Sequence, residues 1–180
     1  LKRVTSISAD DYIKDETKIP LEQNRWGVLP MIIQDFLNID KKNCALSGSK
    51  IKPFNECLLR HGVEVNKNQS FIGCIADLYK KEENISIREM RKIISKKITI
   101  DKFAIAQNGS LITIFKNPST VIEKKDITKH QKSILFNTLD MSNKDKLQYM
   151  YDVISSYNNF KAFLNDDDAF IDHTYLWDII

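Results

Sequence analysis

Residues 142–165, SNKDKLQYMYDVISSYNNFKAFLN, are the most strongly patterned part of this chain. Apolar residues recur at helical spacing from Leu147 to Leu164, which predicts the longest helix of the protein. A capping box at residues 142–145 predicts its start. The acidic run at 166–168 predicts its end. A helix of this length favours a fold built mainly from helices.

Shorter patterns flank this helix. The predicted helices cover residues 31–38, 55–60, 71–79, 86–97 and 129–139, and a further helix or strand begins at 173. Asn108 and Gly109 predict a tight turn, and the β-rich run after it, residues 111–115, is the clearest strand. We therefore predict an α+β fold, mainly helical, with several helices packed on a small sheet. The residues expected to share one core are Phe71, Ile75, Leu78, Ile93, Ile94, Leu111 and Phe115.

Composition limits the classes of function. The chain has 180 residues, among them 22 Lys, 25 Ile and 14 Asn, three types that share A/T-rich codons. Lys and Arg number 27 against 24 Asp and Glu, so the net charge is only +3. A dedicated DNA-binding protein usually carries a larger and more Arg-rich excess. Abundant lysine thus indicates an A/T-rich genome and a solvated surface.

One basic face remains a candidate for contact with nucleic acid. It would use lysines on two adjoining predicted helices: Lys80, Lys81, Lys92, Lys96 and Lys97. The salt dependence of affinity would test this alternative.

Residues 1–24 are polar and predict an N-terminal arm, whereas residues 25–180 predict a single domain. The chain begins without Met and ends on an apolar run, so we expect it to be a piece of a longer protein. No apolar run is long enough for a membrane-spanning helix, and no secretory or transit segment is recognisable at the start.

The chain offers no pattern for a metal or a cofactor. Phosphate-binding glycine loops are absent, and the three histidines and three cysteines have no ligand spacing. We predict no metal, no cofactor, and buried reduced thiols at Cys44, Cys57 and Cys74. The acidic residues at 166–168 are expected to be an exposed helix end rather than a calcium loop.

The aromatic residues best suited to partner binding are Trp26, which follows Arg25, and Trp177. Trp and Arg dominate the energetics of protein interfaces. The alternative is that a tryptophan closes a small core. Arg60 and His61 are expected to end the helix at 55–60 and to form a structural ion pair with Glu64.

Three stretches together resemble a segment of a very large protein shared by nucleocytoplasmic large DNA viruses. They are residues 25–37 (RWGVLPMIIQDFL), residues 57–72 (CLLRHGVEVNKNQSFI) and residues 174–180 (TYLWDII). In relatives of African swine fever virus that protein is linked to the capsid skeleton and to the viral RNA polymerase. The resemblance implies a module that acts in virion assembly or viral transcription, located in the virion or in the viral factory of the host cytoplasm. Its partners would be proteins, with no membrane involved.

Residues 69–79, QSFIGCIADLY, are similar to the nucleophile helix of ovarian-tumour (OTU) cysteine proteases. That resemblance implies a degenerate papain-type fold, because Ser70 stands where the nucleophilic cysteine would be. A serine hydroxyl needs an adjacent base, and no base lies close by in the sequence. We expect Ser70 to cap the helix instead. The sequence therefore favours a non-enzymatic interaction module, with an OTU-like hydrolase, or an inactive remnant of one, as the alternative.

Overall fold

The computed structural model describes residues 12–39, 45–46, 50–51, 58–79 and 84–180, and within them the fold is α+β and mainly helical, as predicted. All strands are two or three residues long: β1 (Ile13–Lys14), β2 (Trp26–Val28), β3 (Ala45–Leu46), β4 (Lys50–Ile51) and β5 (Leu59–His61). The helices are α1 (Met31–Leu37), α2 (Ser70–Tyr79), α3 (Ile87–Lys97), α4 (Ile100–Ile105), α5 (Ser110–Ile114), α6 (Lys124–Lys129), α7 (Ile134–Thr138), α8 (Lys144–Asn165) and α9 (His173–Leu176). A 3₁₀ turn, Ala106–Gly109, joins α4 to α5.

The long helix α8 forms the centre of the helical core and packs against α3, α4, α5 and α6. Phe160 is fully buried there, and its ring centroid lies 5.3 Å from that of Phe103 and 4.9 Å from that of Phe115. Asn143 caps this helix by accepting the amide hydrogens of residues 145 and 146, so the cap lies one residue later than the predicted box. The predicted capping box of α3, by contrast, is confirmed in full, with Ser86 and Glu89 bonding reciprocally.

The strand predicted at residues 111–115 is wrong, because this segment forms α5. Its apolar residues Leu111, Ile112 and Phe115 are also spaced as neighbours on one helical face. Leu111 is fully buried in the helical core, and the Ser156 hydroxyl of α8 donates to the Ile112 carbonyl. Packing against α8 therefore overrides the β preference of these side chains.

Two predicted helices also require correction. Residues 55–57 lie outside the described residues, and Leu59–His61 form strand β5 rather than a helix end. The helix predicted over 129–139 is divided, since α6 ends at Lys129 and α7 begins at Ile134 after the cap residue Ser133. The ion pair expected between Arg60 or His61 and Glu64 is consequently not formed.

The three-stranded sheet has the order β1-β2-β5, with β1 parallel and β5 antiparallel to β2. Its small apolar cluster consists of Ile13 with Trp26, Val28 and Leu59 around it, separate from the helical core. The Arg60 guanidinium fastens this sheet by donating to the backbone oxygens of Val28 and of residues 15, 16 and 18. β1 lies within the segment predicted as a polar arm. The remaining strands, β3 and β4, pair with each other as a short antiparallel hairpin.

The predicted core set is confirmed with one exception. Leu78 is 87% exposed, whereas the other six residues belong to the helical core, four of them half-buried at its edge. Leu78 lies on the outer face of α2, because Ile72, Gly73 and Ala76 form the inner face.

The backbone of Glu64 crosses α2 at Gly73, where a side chain would lie 2.5 Å from the Glu64 carbonyl oxygen. The described strands contribute no residue to this core, whose members lie in helices and in the segments between them, so the expected packing of the core on the sheet is not found.

A buried polar network joins the start of α2 to the loop after α8. Gln69 is 1% exposed, and its amide nitrogen donates to the carbonyl oxygens of Asp166, Asp167 and Ala169 at 3.0–3.1 Å. Arg91, which is also buried, donates to the Asp166 carbonyl at 2.5 Å and forms an ion pair with the Asp167 carboxylate. The Arg91 pairing holds the pKa of Asp167 below its usual range. These bonds fix the loop from which α9 departs.

Replacing Phe160 with Ala should lower the free energy of unfolding by about 3–5 kcal/mol, because it leaves a cavity in the centre of the core. Leu78→Ala, at an exposed position, should change it by less than about 0.5 kcal/mol. Urea denaturation followed by circular dichroism measures both. Equal effects of the two substitutions would contradict the assigned helix faces.

The Gln69→Met variant keeps the approximate volume of the side chain but removes its amide. We expect a loss of about 1–3 kcal/mol in the free energy of unfolding, because the three carbonyl oxygens of this part-buried network lose their common donor. Gln131→Met is the control, since Gln131 is exposed. A Gln69→Met protein as stable as the control in urea would show that the network contributes nothing.

Candidate partner-binding surfaces

Helix α1 buries a polar side chain and exposes its apolar ones, which is the reverse of the usual arrangement of a surface helix. Its single buried side chain is the polar Gln34, whereas its apolar side chains face solvent. Ile32 is 80% exposed and Phe36 is 83% exposed, and the other exposed members are Met31, Ile33 and Leu37. Together these side chains form an exposed apolar patch, and the largest such patch on a monomer is often functional.

Hydrogen bonds explain why α1 takes this orientation. The Gln34 amide nitrogen donates to the Leu29 carbonyl at 2.6 Å and to a Glu16 carboxylate oxygen at 3.2 Å. Asn38 ends the helix in the left-handed conformation at φ 53°. The orientation is thus fixed by polar contacts that turn the apolar face outward. We call the exposed side chains of residues 31, 32, 33, 36 and 37 the α1 face.

Trp26 occupies a different environment from the one expected of an exposed anchor. It is half-buried in the sheet cluster, and its ring centroid lies 4.5 Å from that of His61. His61 Nδ1 in turn lies 2.9 Å from Asp77 Oδ2, which connects the sheet to α2. Trp26 therefore closes a small core, and the half-buried Arg25 lies beside it with its carbonyl accepting the Gly62 amide hydrogen.

Trp177, the other candidate anchor, is 73% exposed. It lines an open groove of about 580 Å³ together with Gln107, Asn108, His173 and Thr174. We call this the Trp177 groove. The structure thus places the two tryptophans apart, one in the sheet and one in a solvent-filled groove.

The basic face is described in part. Lys92, Lys96 and Lys97 are exposed on α3, whereas Lys80 and Lys81 lie outside the described residues. The Asp167 carboxylate, 66% exposed, faces the same helix, and its pKa is lowered chiefly by Arg91 and to a smaller extent by the positive charges of Arg88 and Lys92. An acidic group beside the lysines weakens an anion-binding surface.

Ser70 is the first residue of α2 and does not cap it, contrary to expectation. Its hydroxyl donates to the Asn66 carbonyl at 2.5 Å and accepts the Asn66 amide hydrogen at 3.0 Å. The Gln69 carbonyl accepts the first helical amide hydrogens instead. A serine held by backbone groups in this way has no base to activate it as a nucleophile.

Cys74 is exposed on α2, so the prediction of a buried thiol is wrong for this residue. Cys44 and Cys57 lie outside the described residues. Partial burial of its sulfur raises the pKa of the Cys74 thiol, and the Asp77 carboxylate one helical turn away raises it further. A raised pKa lowers the thiolate population, whereas a cysteine-protease nucleophile requires the opposite shift.

His130 is a partly buried titratable group that contacts the helical core. Burial lowers the pKa of His130, whose ring lies edge-on to that of Tyr157 at 5.8 Å.

The described residues include no group of three or more His, Cys, Asp or Glu placed to hold a metal ion. None of the helices described is both long enough and apolar enough to cross a membrane.

Comparison with models of known protein families, with curated proteins and with solved structures finds no match to this chain.

The reversed helix and the contact between His61 and Asp77 were not predicted from the sequence. Apolar residues occupy most of the circumference of the helix at 31–37, so their spacing could not distinguish the outer face. The signal that could have revealed it is Gln34, a lone amide among apolar neighbours. His61 and Asp77 are 16 residues apart and belong to different elements, so no local pattern connects them.

At pH 7.5 iodoacetamide should alkylate Cys74 more slowly than it alkylates free cysteine, because the raised pKa leaves less thiolate. Asp77→Asn removes one cause of the shift and should accelerate the reaction. Site-resolved mass spectrometry over a pH series measures these rates, with Asp145→Asn as the control. Rapid labelling of Cys74 alone, or its capture by a ubiquitin-tail electrophile, would identify an active protease.

Proposed function

We propose that this chain is a non-enzymatic protein-interaction module of a larger viral protein. It would act in virion assembly or viral transcription, in the virion or in the viral factory of the host cytoplasm. The viral context rests on the resemblance of residues 25–37, 57–72 and 174–180 to the large protein of nucleocytoplasmic large DNA viruses. The interaction role rests on one structural observation, the α1 face.

The α1 face supports binding to a protein because its orientation is held in place. A helix that only rested on the surface would turn its apolar side toward the chain to remove it from water. In α1, Gln34 is bonded on the inside, and Ile32 and Phe36 are left outside, one helical turn apart. A protein partner with an apolar groove would cover these two side chains as anchors.

As the alternative, we propose that this chain has a degenerate, OTU-like papain-type fold that has lost catalysis. By that resemblance Ser70 corresponds to the nucleophile, and in this chain its hydroxyl donates to the Asn66 carbonyl. Cys74, the neighbouring thiol, has a raised pKa. Both observations favour an inactive scaffold over a hydrolase within this alternative.

The test places a photo-crosslinking amino acid at position 32 or 36 in cells that make the full-length protein. The captured protein is identified and purified, and its affinity for this chain is then measured by calorimetry. Phe36→Asp should weaken that binding by about 100-fold, because a charge would be buried against the apolar groove. Val121→Asp is the matched control, since Val121 is 84% exposed and lies on another part of the chain.

The proposal requires that the purified pair bind and that the two variants differ. Both should keep the circular dichroism spectrum and melting temperature of the original protein. Binding that is lost equally in Phe36→Asp and Val121→Asp, or in neither, would show that α1 is not the interface.

A further inference from the structure

The Trp177 groove lies between two segments that are far apart in sequence. One wall is the 3₁₀ turn at Ala106–Gly109, which contributes Gln107 and Asn108. The other wall is α9 with the residues after it, which contribute His173, Thr174 and Trp177. Leu176, the residue before Trp177, is fully buried in the helical core and anchors this wall.

Hydrogen bonds join the two walls. The backbone amide of Gln107 donates to Asp178 Oδ2 at 2.7 Å, and the side-chain amide of Gln107 donates to the Thr174 carbonyl. Gln107 and Asn108 have positive φ angles of 50° and 55°, followed by Gly109 at 83°. Two successive non-glycine residues in this conformation cost free energy, which the contacts across the groove offset. The groove is therefore formed before any ligand arrives, which reduces the entropy lost on binding.

Two carboxylates flank the groove without lining it. Asp172 immediately precedes His173, and Asp178, which immediately follows Trp177, is bonded to the Gln107 amide. The lining itself contains no Lys, Arg, Asp or Glu, and His173 is its one titratable side chain. The Thr174 hydroxyl and amide donate to the Asp172 carboxylate and hold its pKa below the usual range. Asp172 is therefore anionic at neutral pH. An exposed indole beside carboxylates is the arrangement that attracts an organic cation.

We propose that the Trp177 groove binds a basic, extended segment of a protein partner. The Trp177 ring accepts the face of an Arg or Lys side chain, and Asp172 and Asp178 supply the opposite charge. Arg is preferred, because its planar guanidinium stacks on an aromatic ring and is more weakly hydrated than an ammonium group. This inference goes beyond the proposed function, since it concerns a second surface and does not depend on the α1 face.

The experiment is an NMR titration of the ¹⁵N-labelled chain at low salt with the peptide acetyl-GRGRGRG-amide. The chain has two tryptophans, so Trp177 gives one indole N–H signal and Trp26 gives the other as an internal control. We expect saturable shifts of the Trp177 indole and of the Asn108 side-chain amide, with the Trp26 signal unchanged. The peptides acetyl-GQGQGQG-amide and acetyl-GEGEGEG-amide should bind at least about 10-fold more weakly.

Three variants test the residues. Trp177→Ala should weaken binding by about 10-fold, since it removes the ring. The double variant Asp172→Asn/Asp178→Asn keeps the acceptor oxygens and removes the charges, so it should weaken binding at low salt and abolish most of its salt dependence. Asp145→Asn, at the opposite end of α8, is the charge control and should leave this binding intact.

The proposal is overturned if the Arg peptide produces no shift at millimolar concentration, or if the Gln or Glu peptide binds as tightly. It is also overturned if a proline-rich peptide without charges binds more tightly, which would make the groove an aromatic platform for polyproline segments. Unchanged affinity of the Trp177→Ala variant would place the binding elsewhere.

Discussion

The hydrogen bonds of Gln69 and Arg91 to the loop after α8 hold the rest of the structure in place. A buried amide and a buried guanidinium must find acceptors, and the carbonyl oxygens at 166–169 are the ones they find. Two further bonds lie beside them: the Asn68 side chain donates to the Asp168 carbonyl, and the Asn68 carbonyl accepts the Ile171 amide hydrogen. Together they set the position of α2 relative to α8.

Both candidate surfaces depend on that position. On one side, the Asp77 carboxylate of α2 lies within hydrogen-bond distance of His61 in β5. This contact attaches the sheet, and α1 next to it, to the helices. On the other side, the fixed loop leads into α9 and the Trp177 groove. The chain therefore presents an apolar helix and an aromatic groove flanked by two carboxylates on separate elements, each held by polar contacts.

Sequence pattern was sufficient to predict a helix where that helix buries one face against the core. It predicted α2, α3 and α8 from apolar spacing and capping residues such as Ser86. It failed at residues 111–115, where the same apolar spacing fits a strand or a helix and only contact with α8 decides. The environments of the two candidate anchor residues were harder to predict, because the exposure of Trp177 and the partial burial of Trp26 depend on neighbours far along the chain. No local rule distinguishes the two tryptophans.

The separation of Gln69 from its acceptors also has a consequence for synthesis on the ribosome. The amide and the Ala169 carbonyl are 100 residues apart, so α2 emerges long before the loop that satisfies it. Until that loop leaves the exit tunnel, the polar groups of Gln69 and Arg91 remain bonded to water and keep this part of the core open. The nascent chain therefore completes this part of its core only after residues 166–169 have left the tunnel.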